Sequence, residues 1–117
     1  MFLVVYELLV DLTRLVERLV VMTAHKRFGS TSHQFDEYAK KVEELPKSTT
    51  NEDLLVLYGL FKRVTVGSVD KPRPGGLFNR KDQAKWDAWQ AVEGKSKEEA
   101  MRDYIVKVKQ LLGEHSS

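Results

Sequence analysis

The chain reads as an all-α protein, and three features of the sequence predict it. Apolar residues recur at the i, i+3, i+4, i+7 spacing that lines one face of a helix. Capping signatures stand where those stripes begin. No segment alternates with period two for long enough to form a strand.

From Gln34 onward four helices follow in order. The first carries Phe35, Tyr38, Ala39, Val42 and Leu45 as its stripe, and Pro46 stops it, because proline has no N–H and clashes with the preceding turn. The second opens at Thr50, whose hydroxyl is placed to cap while Asp53 stands at the third helical position, a capping box with Asp in place of Glu. It runs through Leu54, Leu55, Val56, Leu57, Tyr58, Leu60, Phe61 and Val64 to Gly67. Being apolar nearly all round, it is expected to be the most buried helix. A loop with Pro72, Pro74, Gly75 and Gly76 follows, residues that set turns and halt helices. The third helix spans about Asp82 to Val92, with Trp86, Trp89 and Val92 on one side and Gly94 at its end. The fourth opens on the full capping box Ser96-Lys97-Glu98-Glu99. Its stripe is Ala100, Met101, Tyr104, Ile105, Val108, Leu111 and Leu112, closed by Gly113.

Residues 1–21 are rich in Leu and Val but broken by Glu7, Asp11, Arg14, Glu17 and Arg18. No uncharged run there approaches the roughly 20 residues of a membrane span. A secretory signal would have a basic start and an unbroken apolar centre, and a mitochondrial presequence would be poor in acidic residues. Positions 7, 11, 14 and 18 share one helical face, so the segment is an amphipathic helix with a broad apolar side. Residues 22–33 read as a linker, and Met22 offers an alternative start. The organisation expected is therefore residues 1–33 as helix and linker, followed by a domain over 34–117. All candidate binding residues lie beyond residue 33. The first segment is thus expected on the bundle surface or protruding, dispensable for ligand binding, and available to a partner or a second copy through residues 1–21.

The chain is 42% apolar and 31% charged, ordinary for a soluble domain. It has no cysteine, which excludes disulfides, zinc–thiolate sites and cysteine nucleophiles. His25, His33 and His115 have no paired spacing on a helix, so neither a metal site nor a general base is supported. Acidic pairs such as Glu43-Glu44 and Glu98-Glu99 read as solvated faces or helix starts. No nucleophile–base set emerges; no enzyme, no catalytic residue, no metal and no cofactor are expected. The net charge is +2, but seven basic residues face two acidic ones between Lys62 and Lys85, a local +5. Such a patch on a near-neutral chain suits a compact anionic ligand better than a long polyanion.

That patch is interleaved with aromatic rings. Tyr58, Phe61 and Lys62 fall at i, i+3, i+4 on one face; Lys85 stands beside Trp86 just after Arg80-Lys81; Tyr104 carries a hydroxyl out of the last stripe. Rings stack on a nucleobase and lysines neutralise phosphates. The same rings at helical spacing also serve as ordinary core residues, and the lysines as solvated charges. The residues alone leave both readings open, together with a third in which the patch meets an acidic protein or RNA.

Four runs then resemble the acyl-CoA-binding protein family: Leu57-Tyr58-Gly59-Leu60-Phe61-Lys62-Arg63-Val64-Thr65-Val66-Gly67, Arg73-Pro74-Gly75, Ala84-Lys85-Trp86-Asp87-Ala88-Trp89, and Ser96-Lys97-Glu98-Glu99-Ala100-Met101 with Tyr104-Ile105. The resemblance covers about residues 34–114 without a break in order. It implies a four-helix bundle of up-down-down-up topology, to which this chain adds an N-terminal amphipathic helix. It implies a long-chain fatty acyl-CoA ligand, carried and buffered rather than transformed. Its head group would meet Tyr58, Gly59, Leu60, Phe61, Lys62, Lys81, Lys85 and Tyr104. The acyl chain would lie in a groove of Ala39, Val42, Leu54 and Leu55. Phe61 stands where the family usually carries tyrosine, which keeps stacking and loses a hydroxyl, and Glu43 stands where it often carries lysine. The implied protein is a cytoplasmic monomer that neither binds nucleic acid nor inserts stably into membranes.

Overall fold

The structure is a computed structural model that describes residues 2–23, 30–77 and 79–114, and in the first helix the side chains of residues 8–18. Five α-helices make up the described residues: α1 (Phe2–Thr23), α2 (Ser30–Lys40), α3 (Asn51–Thr65), α4 (Arg80–Ala91) and α5 (Lys97–Leu112). A 3₁₀ turn (Lys41–Glu44) extends α2, and no strand occurs among them. The four helices expected beyond Gln34 are all present. Of the proposed linker, residues 24–29 lie outside the described residues; Met22 and Thr23 close α1, and residues 30–33 open α2. The boundary expected between residues 33 and 34 therefore falls inside α2. Serines and a threonine at 30–32 suggested a loop, yet local preference of this kind yields readily to packing.

Caps position the helices much as their sequences require. The Ser96 hydroxyl accepts from the Glu99 N–H at 3.1 Å while the Glu99 carboxylate accepts from the Ser96 N–H at 3.1 Å, a complete capping box. Gly113 ends α5 with φ +76°, a left-handed conformation that costs glycine least. At α3 only half of the box forms. Thr50 Oγ1 accepts from the Asp53 N–H at 3.2 Å, but the Asp53 carboxylate turns instead to Lys107 Nζ at 2.8 Å on α5. Asp is one methylene shorter than the Glu of a full box, and the lysine offers it a charge-assisted partner. That hydrogen bond holds the Asp53 carboxyl below its ordinary pKa.

The stripes of α2, α3 and α5 meet in one core built on Phe35, Ala39, Val42, Leu54, Leu57, Leu60, Phe61, Tyr104, Ile105 and Val108, all buried. As expected, α3 carries the most buried side chains, although its Val56 is exposed. Helix α4 joins through Trp89, which is buried and donates its indole N–H to the Gly67 carbonyl at 2.8 Å. Trp86 donates to the Lys71 carbonyl at 2.8 Å, and Arg73 grips Asp87 with two bonds of 2.8 and 3.0 Å. The long α3–α4 loop is thereby tied down along α4.

Helix α1 departs from expectation. It neither protrudes nor rests on the outside of a finished bundle. It packs across α2, the 3₁₀ turn and α3, and Leu8, Leu12 and Val16 are buried in the common core. Their spacing of four makes one edge of a helix, and burying each contributes about 1.5–3 kcal/mol of transfer free energy. Among the described residues no helix is long and apolar enough to cross a membrane.

Candidate functional site

The site begins with a glycine. A Cβ on Gly59 would collide with the Ala88 carbonyl, so only glycine lets α3 and α4 approach this closely. Gly59 thus has a packing role in this structure. One residue before it, Tyr58 lies under the ammonium of Lys85, which stands 5.0 Å from the ring centroid. Three residues after it, Lys62 lies over the Trp89 ring at 4.8 Å. Two cation–π contacts, each worth about 0.5–1 kcal/mol where exposed and more where dry, therefore hold lysines from α3 and α4 over rings of the opposite helix.

Positive charge accumulates here under partial burial. Burial is the chief influence lowering the Lys62 pKa, and the like charges of Lys71 and Lys85 add to it against the opposing Asp70. Burial likewise raises the Tyr58 pKa, with Asp11 and Asp82 reinforcing it. Not all of the basic stretch contributes. Arg63 donates to the Lys95 carbonyl at 2.7 Å and pairs with Glu93 at 3.8 Å, while Arg73 is committed to Asp87. The cluster consists of Lys85 over the Tyr58 ring and Lys62 over Trp89, with Lys71 and Lys85 near enough to lower the Lys62 pKa, a geometry suited to a small polyanion carrying an aromatic ring.

Lys81 and Lys85 converge on one acceptor. A single oxygen of Asp11, on α1, lies 3.1 Å from Lys85 Nζ and 3.4 Å from Lys81 Nζ. Burial, the largest single influence on Asp11, pushes its pKa up, but the hydrogen bond and charge of Lys85 with those of Lys81 outweigh it and hold the carboxyl low. Sequence reasoning missed Asp11. Its partner Lys85 is 74 residues away, and its place on a charged helical face suggested solvent.

Other residues expected at the site are interior. Phe61 and Leu60 are buried, and Tyr104 is completely so. Tyr104 packs edge-on to Phe35 with centroids 5.1 Å apart and lies 6.2 Å from Phe61. Its hydroxyl has no hydrogen-bond partner among the described residues, and burial raises its pKa. An unpaired buried hydroxyl costs about 1–3 kcal/mol. The groove residues Ala39, Val42 and Leu54 are also fully enclosed, Leu55 partly so, in the core cluster that Leu8, Leu12 and Val16 complete. Lys41 sits 4.6 Å over the Tyr38 ring and pairs with Glu114 at 3.5 Å, near the end of α5. Of the histidines, His33 lies exposed on α2, while His25 and His115 lie outside the described residues. Among the described residues no three His, Asp or Glu side chains are grouped to hold a metal ion.

Comparison with known proteins places residues 32–108 under the family model described as "Acyl CoA binding protein". An acyl-CoA-binding protein of Ricinus communis is 66% identical over 80 residues, covering 68% of this chain and 88% of its own length. The crystal structure of acyl-CoA-binding protein 2 of Oryza sativa matches with a TM-score of 0.68 at 61% identity, over 73% of this chain and 93% of that one. That of the Moniliophthora perniciosa protein matches at 0.64 and 39% identity, over 74% and 84%. The whole of α1 lies ahead of the family match, which begins at residue 32 within α2.

Proposed function

The chain belongs to the acyl-CoA-binding protein family, and on that basis we propose that it binds long-chain fatty acyl-CoA non-covalently, as a cytoplasmic carrier and pool buffer. The observation that carries the reading is the lysine–aromatic cluster of Tyr58, Lys62 and Lys85 beside an apolar floor formed by α2 and α3. In this reading the ammonium groups neutralise the 3′-phosphate, the Tyr58 ring receives the adenine, and Ala39, Val42, Leu54 and Leu55 line the acyl chain. Helices α2 to α5 form the binding unit, and it works as a monomer.

The energetics suit a carrier. Removing about 14 methylenes from water contributes about 11 kcal/mol at ~0.8 kcal/mol each, less the several kcal/mol that association costs. The chain then supplies most of the affinity. The lysines supply selectivity for the coenzyme A ester over free fatty acid, since each charge-assisted contact adds roughly 1.5–3 kcal/mol. In this reading the thioester is held and shielded from water rather than cleaved.

Calorimetric titration tests this directly. Palmitoyl-CoA is expected to bind at sub-micromolar concentration, free coenzyme A far more weakly, and palmitate barely. Equal binding of coenzyme A with and without its acyl chain would defeat the carrier reading and favour a basic patch for acidic proteins or RNA. Thiol release above the protein-free rate in the same samples would mark a thioesterase.

A further inference from the structure

Helix α1 bears both chemical features of the ligand just proposed. Its Leu8–Leu12–Val16 edge is buried in the same core cluster as Ala39, Val42 and Leu54, against which Leu55 packs. Its Asp11 carboxylate, on the same side of the helix three residues from Leu8, takes the ammonium groups of Lys85 and Lys81 at 3.1 and 3.4 Å. An apolar strip flanked by an anion on these lysines combines the two features that an acyl chain with a phosphate would present. We propose that α1 is a built-in competitor for the acyl-CoA site, so that ligand enters only as α1 leaves; this rests on reading the cluster as an acyl-CoA site.

Two further observations support competition over simple reinforcement of the bundle. The family match begins at residue 32, so α1 is an addition to a unit that α2 to α5 already form. The added helix also meets that unit where the site lies: it packs across α2, the 3₁₀ turn and α3, and its carboxylate reaches α4. A helix recruited only for stability would not need to place an anion on two of the lysines that select the ligand. Competition also has a quantitative signature. Apparent affinity falls by the fraction of molecules in which the site is open, and that factor is the same for every ligand needing α1 to leave.

The test uses the full chain. Asp11→Asn keeps the size of the side chain and removes its charge. It is expected to tighten binding about three- to tenfold, the value of a partly exposed pair of charge-assisted contacts. The factor should be equal for octanoyl-, dodecanoyl- and palmitoyl-CoA by calorimetry, and Asp11→Glu should restore the parent value in part. Because the chain has no cysteine, spin labels at Arg14→Cys on α1 and Arg102→Cys on α5, both exposed positions, report the position of α1. Saturating palmitoyl-CoA is expected to move or broaden that distance distribution. Saturable binding with an unchanged distance, or Asp11→Asn binding no tighter than the parent, overturns the competitor while leaving the carrier intact. If neither protein binds palmitoyl-CoA, the site reading fails and the competitor falls with it.

Discussion

Replacing Lys62 and Lys85 separately by alanine distinguishes a lysine that only receives ligand from one that α1 also engages. Each replacement removes a charge from the proposed phosphate site, and a charge-assisted contact is worth about 1.5–3 kcal/mol, an expected loss of roughly ten- to hundredfold in affinity. The two environments differ in one respect. Lys62 lies 4.8 Å over Trp89, and the charges that act on it most are those of Lys71, Asp70 and Lys85. Lys85 is 3.1 Å from Asp11. Deleting Lys85 therefore weakens the hold on α1 as well as the hold on ligand. With both partners partly exposed, the released pair is worth about 0.5–1 kcal/mol, so the net loss for Lys85→Ala should be about two- to fivefold smaller than for Lys62→Ala. In an Asp11→Asn background that difference should vanish.

Isothermal titration of the four proteins with palmitoyl-CoA, at one ionic strength, reads all of these values. A second series with the dephospho-CoA ester identifies the phosphate concerned: the parent should lose affinity for it, and both alanine variants should lose little more. If Lys85→Ala weakens binding at least as much as Lys62→Ala, and Asp11→Asn leaves their ratio unchanged, Asp11 does not compete for Lys85. If both esters respond identically to both replacements, the lysines do not bind the 3′-phosphate.

Gly59→Ala places a methyl against the Ala88 carbonyl; overpacking of this kind costs about 1–3 kcal/mol, read as a lowered denaturation midpoint with helix content retained. Tyr104→Phe removes a buried hydroxyl that has no partner among the described residues, so the unliganded protein should gain about 1 kcal/mol or more in urea unfolding. If the hydroxyl meets the head group, palmitoyl-CoA binding should weaken in the same variant. The Asp11 pKa is held below its ordinary value of 3.8. A depressed carboxyl contributes stability that is complete above the unfolded pKa and lost as pH falls through the folded one. Melting temperatures of parent and Asp11→Asn should therefore differ at neutral pH and converge as pH falls below about 3.8. Curves that remain apart there would mean that the lysine contacts do not set Asp11's contribution.

Most of the fold was legible because its determinants are local. The stripes at Leu54–Val64 and Ala100–Leu112 each lie within one helix, that at Phe35–Leu45 runs on from α2 through its 3₁₀ turn, and Ser96 with Glu99 closes its capping box over four residues. The start of α2 was not legible, since Ser30, Thr31 and Ser32 favour turns as readily as a first helical turn. Part of the candidate cluster was legible for the same reason. Tyr58 and Lys62 are one turn apart on α3, and Lys85 was conspicuous beside Trp86. The role of Gly59 was not, because the residue that demands it, Ala88, belongs to another helix. Nor could the pattern separate Tyr104 as an interior ring from Tyr104 as a ligand contact. An apolar stripe shows that a side chain turns inward without showing what it meets.

The placement of α1 follows from the same gap in local information. Its apolar side was plain from the sequence, but the surface that would receive it could not be read from its own residues. In the folded chain that surface is apolar in its middle and carries Lys81 and Lys85 beside it. A floor of Ala39, Val42 and Leu54 bordered by lysines offers burial along its length and neutralisation at its edge. Those are the terms on which it would also receive an acyl chain carrying phosphates. A groove that selects an amphipathic anion by these two contacts has no means of refusing a helix that supplies both. Asp11 is the residue on which the distinction turns: the apolar edge alone could pack on any exposed core face, whereas the carboxylate directs it to Lys81 and Lys85. On the competitor proposal, affinity for ligand in this chain would be set jointly by the site and by the helix covering it. A single charge, far from the family match in sequence, would adjust the second without altering the first.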